Sequence, residues 1–184
     1  MENYLEVIGT LVGLIYLWLE YKASIYLWIV SIIMPAIYLF VYYEAGLYAD
    51  LGVNVYYLLV ALYGWLMWRG TDKEAPELPI TRIPLRLLPL SLLLFLFLFL
   101  GIAWILIQFT DSTVPWLDSF TTALNIIGMW MLARKYLEQW WAWLVVDVVS
   151  AGLYIYKELY FTSGLYALYA VIAVLGYYKW KRMM

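Results

Sequence analysis

The residue most able to do chemistry is Asp147, which lies inside the apolar run 137–160. Trp140, Trp143, Asp147, Ala151 and Tyr154 recur at three- or four-residue steps, which puts their side chains on one face of a helix. A carboxylate at membrane depth costs several kcal/mol and usually faces a cavity or a partner. Aromatic rings attract flat organic cations. The pattern therefore predicts a substrate site for such a cation.

Three polar residues in other apolar runs are further candidates for substrate contact, namely Asp50, Asn54 and Asn125. Several of the candidates have a plainer interpretation. Asp50 can be solvated at the membrane interface, and Asn54 can hydrogen-bond to a neighbouring helix. Asp147 can do the same, and Trp140 can anchor a helix end among lipid headgroups.

The composition predicts an integral membrane protein, because 67% of the residues are hydrophobic and 13% are charged. A spanning helix needs roughly 20 apolar residues, so the chain has room for about seven. It contains no cysteine or histidine, which argues against disulfides and the commonest zinc ligands. We expect no cofactor, no metal and no nucleic-acid partner. The opening residues lack the basic region of a signal peptide, so we expect the first span to remain.

Other function classes find little support in the residues. An enzyme is disfavoured because the sequence has no phosphate-binding Gly-x-x-x-x-Gly-Lys loop and no paired carboxylates at hydrolytic spacing. A seven-helix photoreceptor needs a lysine in the middle of a span, and the last span has none before Lys179. The remaining alternative to a carrier is a seven-helix receptor without a chromophore.

Apolar runs, prolines and polar breaks predict seven spans. Their expected ranges are 4–20, 23–43, 49–68, 87–108, 116–134, 139–157 and 161–179. Every Lys and Arg except Lys157 then falls in loops on one side of the membrane. Positive charge stays cytoplasmic, which predicts an outside N-terminus and a cytoplasmic C-terminus.

Two halves of the chain resemble each other. A shift of 115 residues places Gly13, Leu17, Tyr21 and Trp28 on Gly128, Leu132, Tyr136 and Trp143. A shift of 112 aligns Tyr48, Gly52, Tyr57, Ala61, Gly64 and Trp68 with Tyr160, Gly164, Tyr169, Ala173, Gly176 and Trp180. The repeat predicts an all-α architecture of 3+1+3 helices with parallel halves. Its parts are a three-helix repeat (1–68), a cytoplasmic loop with a linker helix (69–110) and a second repeat (111–184).

These residues resemble the PnuC family of bacterial vitamin transporters. The resemblance rests on the Trp-x-x-Trp-x-x-x-Asp motif ending at Asp147, the residues 153–162 that follow it, and the Leu-Ala-Arg-Lys segment at 132–135. Residues 47–50 and 63–65 strengthen it in the first half.

The resemblance implies a homotrimer in the bacterial inner membrane with a SWEET-like layout. It implies facilitated diffusion of a vitamin precursor, which an intracellular kinase traps by phosphorylation. Nicotinamide riboside is the commonest substrate of the family, and thiamine is the alternative, since residues 8–16 look like the thiamine-type branch. Both substrates carry one fixed positive charge on an aromatic ring, whereas neutral riboflavin suits Asp147 less well.

Overall fold

The structure is a computed structural model. It describes the backbone of residues 2–44, 48–69 and 78–184, and side chains from residue 11 onward except at 38, 41, 42, 44 and 48–51. Within these ranges the chain forms seven α-helices: α1 (Glu2–Tyr21), α2 (Tyr26–Glu44), α3 (Tyr48–Arg69), α4 (Leu88–Phe109), α5 (Pro115–Ala133), α6 (Gln139–Tyr156) and α7 (Tyr160–Met183). A 3-10 turn, Leu85–Leu87, precedes α4. The predicted all-α fold with seven helices is confirmed.

Two of the helices are long and apolar enough to cross a bilayer, among the residues that the structure describes. They are Leu85–Phe109, which includes the 3-10 turn, and Tyr160–Met183, and two shorter apolar helices cover Leu11–Tyr21 and Tyr26–Ile37. Only 6% of the most apolar 18-residue stretch within Leu85–Phe109 is buried, whereas the core helix of a soluble domain is mostly buried.

The chain divides into two compact units, residues 1–79 and 80–184. In the first unit α2 packs along α3, and α1 contacts α2. In the second unit α6 packs along α7, and α5 lies between α4 and α6. The connecting helix α4 belongs to the second unit, where Phe95 and Phe99 meet Phe120 of α5 edge-to-face.

The same kind of aromatic contact joins the two helices within each of the hairpins α2–α3 and α6–α7. Trp28 meets Trp68 edge-to-face with 5.4 Å between ring centroids, and Trp140 meets Trp180 in the same way at 5.6 Å. Such pairs contribute about 1 kcal/mol beyond burial of their area. Each inner indole also lies against a glycine, Gly64 under Trp28 and Gly176 under Trp140. The same contacts thus recur at a spacing of 112 residues.

The turns that precede these hairpins also match. Ala23 and Lys135 both adopt positive φ, 52° and 51°, at the end of α1 and α5. In the first turn the backbone N–H groups of Ala23 and Ser24 donate to the carbonyls of Glu20 and Leu19. In the second turn the backbone N–H groups of Lys135 and Tyr136 donate to the carbonyls of Leu132 and Met131. Both are Schellman motifs, which satisfy carbonyls left over at a helix end.

The packing corrects one part of the predicted register. The sequence match at a shift of 115 pairs Trp28 with Trp143, but the residue that occupies the place of Trp28 is Trp140. At a shift of 112, Trp143 corresponds to Ser31 instead. The match was wrong because the chain holds 11 Trp, so identical letters recur in false registers.

A short extended segment before α4 packs on the turn between α5 and α6. Thr81 forms a parallel bridge with Tyr136, and the Ile83 N–H donates to the Glu138 carboxylate at 2.8 Å. Ile83 is buried in a cluster with Ile127 and Met131. This cluster fixes the start of α6, which carries Asp147.

Candidate functional site

The candidate site surrounds Asp147, midway along α6 in the second unit. Its side chain is 9% exposed. Trp140 lies opposite Gly176 in this antiparallel pair of helices, so seven residues forward on α6 meet seven residues back on α7. That step places Tyr169 beside Asp147, and the two groups do lie within electrostatic reach of each other.

Phenol rings line the α7 side of this carboxylate. Tyr154, two turns along α6 from Asp147, stacks on Tyr166 with ring centroids 5.2 Å apart and planes 22° from parallel. Tyr166 in turn meets Tyr169 at 5.7 Å, and it also lies within electrostatic reach of Asp147. The Ser163 hydroxyl donates to the Ala151 carbonyl at 2.9 Å, which ties α7 to α6 one turn beyond Asp147.

The α5 side of the site is set by Trp143. A Cβ on Gly128 would lie 3.0 Å from the Trp143 ring, so the indole covers this glycine closely. One turn forward on α6 leads to Asp147, and three residues back on the antiparallel α5 lead to Asn125. Helix geometry therefore places half-buried Asn125 at the level of the carboxylate.

Trp140, which spacing groups with the substrate residues, has a packing role in this structure. Its side chain is 1% exposed and lies between Trp180 and the backbone of Gly176. Trp28 is packed identically in the other hairpin. The substrate role of Trp140 stays a prediction, but the ring is not open to a ligand in this conformation.

The first unit carries the other two predicted contacts, both on α3. Asn54 is half-buried. The side chain of Asp50 lies outside the described residues. Tyr56 and Tyr57, next along α3, pack on each other at 5.7 Å. Within the second unit, the structure brings Trp143 and Asp147 of α6 to the level of Asn125 on α5.

Sequence reasoning missed Tyr166 and Tyr169. The available signal was the hairpin register: two tyrosines three residues apart on the last span face a helix that runs the opposite way. It also missed Gln139, the first residue of α6, whose side chain is completely buried.

The arrangement suits binding rather than bond breaking. A nearly buried carboxylate beside several aromatic rings favours a flat cation, since cation–π attraction reaches about 2 kcal/mol when desolvated. Within the described residues there is no group of three or more His, Cys, Asp or Glu that could hold a metal ion.

Comparison with known proteins decides the family. A family profile described as nicotinamide mononucleotide transporter matches residues 3–182. The chain belongs to this family. Its relatives include the nicotinamide riboside transporter PnuC of Escherichia coli (strain K12), 25% identical over 203 residues that cover 97% of this chain and 85% of that protein. The predicted PnuC resemblance is confirmed.

A second relative of this transporter family carries a different vitamin. The riboflavin/roseoflavin transporter RibM of Streptomyces davaonensis is 27% identical over 182 residues, 95% of this chain and 83% of the relative. The crystal structure of the vitamin B3 transporter PnuC has the same fold, with a TM-score of 0.71 and 23% identity over 98% of this chain and 82% of that one. The relatives are transporters, not enzymes, as predicted here.

Proposed function

We propose that this protein carries nicotinamide riboside, a cationic aromatic precursor of a B vitamin, across the bacterial inner membrane by facilitated diffusion. The observation that carries the proposal is Asp147, which is almost buried and within electrostatic reach of Tyr166 and Tyr169, with Tyr154 stacked on Tyr166. A lone carboxylate in a spanning helix costs about 3 kcal/mol on insertion scales. A protein retains such a group where an arriving cation balances it.

In this proposal each residue of the second unit has a distinct task. Asp147 balances the pyridinium charge, Trp143 and the stacked Tyr154–Tyr166 pair contact the ring faces, and Asn125 hydrogen-bonds to a polar substituent. Each desolvated ring contact is worth about 1–2 kcal/mol, so two or three of them contribute roughly 2–6 kcal/mol before association costs are subtracted, which is less than the roughly 8 kcal/mol of micromolar binding. Binding of that strength allows release, which a carrier requires.

The remaining parts of the proposal rest on charge distribution and family resemblance. We propose 3+1+3 parallel repeats, an outside N-terminus, a cytoplasmic C-terminus and a homotrimer in the membrane. An intracellular kinase would trap the product by phosphorylation. Asp50 and Asn54 remain predicted substrate contacts of the first unit, and no step at the second-unit site depends on them.

Thiamine is the second candidate substrate, because it also places one fixed positive charge on an aromatic ring. Riboflavin is a third, supported by the similarity to RibM. A binding titration of purified protein with the three compounds separates them. A site built around Asp147 should favour the two cations over neutral riboflavin.

The decisive test is transport by an Asp147→Asn variant in liposomes. The variant keeps the side-chain shape and removes the charge, so uptake of labelled nicotinamide riboside should fall at least about tenfold, equivalent to 1.4 kcal/mol. Gly152→Ala on the same helix is a matched control, since nothing lies within 4 Å of a Cβ there. Unchanged uptake by Asp147→Asn would reject the assignment.

The same liposomes test facilitated diffusion. Without a kinase and with the membrane potential held at zero, internal nicotinamide riboside should rise to the external concentration and stop there. Accumulation above that level would show coupling to an ion gradient.

A further inference from the structure

Gln139, the first residue of α6, is fully buried and its amide has no hydrogen-bond partner among the described residues. This holds for both the amide oxygen and the amide nitrogen, and the side chain is 0% exposed. Buried polar atoms without partners are few in native proteins, and each destabilises the fold unless something else binds it. The position therefore needs a reason other than packing.

The other hairpin shows that packing does not require an amide here. Leu27 occupies the corresponding place at the start of α2, 112 residues earlier, and is also 0% exposed. The indole N–H groups of Trp28 and Trp140 lack partners in both hairpins alike, so their common packing accounts for them. The unpartnered amide of Gln139 is peculiar to the second hairpin.

Gln139 lies in line with the candidate site. Gln139, Trp143 and Asp147 follow one another at four-residue steps, so each is one turn from the next on α6. Eight residues of helix separate the amide from the carboxylate by about 12 Å along the axis. A ligand with its cation at Asp147 and its ring against Trp143 would direct its remaining polar groups toward Gln139.

We propose that Gln139 binds the hydroxyl-bearing end of the substrate whose cationic ring is held at Asp147, and so selects for a sugar-bearing ring over the bare ring. This inference rests on the proposed transport function and deepens it. A glutamine amide both donates and accepts, which matches a hydroxyl group that does the same. In the conformation of the structure the amide is closed from solvent, so the proposal requires a second conformation of the transport cycle in which the amide meets the substrate.

Binding by a Gln139→Leu variant tests the proposal. Leucine is the native residue at the equivalent position, so the variant should fold with an unchanged or higher melting temperature. The probes are nicotinamide riboside and 1-methylnicotinamide, which has the same cationic ring without the sugar. The variant should bind nicotinamide riboside about fivefold to tenfold more weakly, as expected for one lost hydrogen bond, and bind 1-methylnicotinamide as the wild type does.

Two comparisons keep the outcomes distinct. Asp147→Asn should weaken both probes, because both carry the ring charge. If Gln139→Leu binds nicotinamide riboside like the wild type, or weakens both probes equally, the proposal is overturned while the transport function stands. If the wild-type protein binds neither probe, both the role of Gln139 and the proposed transport function are rejected. Gln139→Met, which keeps the length and loses the amide, replaces the leucine variant if that fails to fold.

Discussion

The hairpins α2–α3 and α6–α7 share their packing contacts and differ where a ligand would meet them. In each, an indole lies between a second indole and a glycine of the partner helix. Three of the differences lie along one side of the leading helix: Leu27 against Gln139, Ser31 against Trp143, and Pro35 against Asp147.

The contrast separates two kinds of constraint on the same backbone. Residues that fill the seam of a hairpin are fixed by volume, since close packing tolerates neither a gap nor an extra methyl group. A large and a small residue can also change places between equivalent contacts. In the second unit the small Gly128 of α5 lies against the large Trp143 ring, whereas the equivalent pair in the first unit is the large Tyr16, which is hydrogen-bonded to the small Ser31. Polar groups outside the seam are free to differ, and α6 carries a buried carboxamide and a buried carboxylate at the positions where α2 carries Leu27 and Pro35.

The largest effect is expected from the seam glycines. A Cβ on Gly64 would lie 2.3 Å from the Trp28 ring, and one on Gly176 would lie 2.5 Å from the Trp140 ring. Neither indole can move, because each is held by its partner tryptophan. We expect Gly64→Ala and Gly176→Ala each to lower the free energy of unfolding by about 2–3 kcal/mol, measured by unfolding in detergent.

Gly52 and Gly164 provide the matched controls for the seam substitutions. They correspond to each other on α3 and α7, and nothing lies within 4 Å of a Cβ at either position. Alanine there should be neutral or stabilise by up to about 1 kcal/mol, because it favours helix more than glycine does. Equal stability of Gly164→Ala and Gly176→Ala would show that the Trp140 contact does not confine α7.

The next largest effect is expected at the inner tryptophans, Trp28 and Trp140. Trp28→Phe and Trp140→Phe each remove part of a buried ring and should cost about 1–2 kcal/mol of unfolding free energy, by similar amounts. If Trp140 only packs, the folded variant keeps the wild-type affinity for nicotinamide riboside. A selective loss of affinity in Trp140→Phe, absent in Trp28→Phe, would instead make Trp140 the substrate contact that its spacing predicts.

Much of the fold is predictable because its signals are local. Apolar runs of membrane length, interrupted by Pro84, Pro89 and Pro115 and by polar turns, place all seven helices within about one turn of their ends. Most of the predicted second-unit site lies on α6, since Trp143, Asp147 and Tyr154 share a single helix, and Asn125 is the predicted residue that α5 adds.

The rest depends on contacts between helices, which spacing along one helix does not reveal. Tyr166 and Tyr169 join the site through the antiparallel register of α7 with α6. In sequence Gln139 is simply a polar residue at a helix start, and its burial follows from how α6 packs in the second unit.

The smallest effect is expected at the turns before the two hairpins. Ala23 and Lys135 hold positive φ, a conformation that costs a residue with a Cβ about 1 kcal/mol and costs glycine almost nothing. Ala23→Gly should therefore raise the free energy of unfolding by about 0.5–1 kcal/mol. Lys135→Gly should gain less or lose stability, because the Lys135 side chain is 4% exposed and its packing disappears with it.

Glu158 calibrates this last comparison. It has the same backbone conformation, with φ of 60°, and an exposed side chain, so Glu158→Gly should behave like Ala23→Gly. The gap between Glu158→Gly and Lys135→Gly then measures what the buried lysine contributes to the α5–α6 turn. Equal melting temperatures for the two variants would mean that the turn before α6 is held by its backbone and by the segment around Thr81 alone.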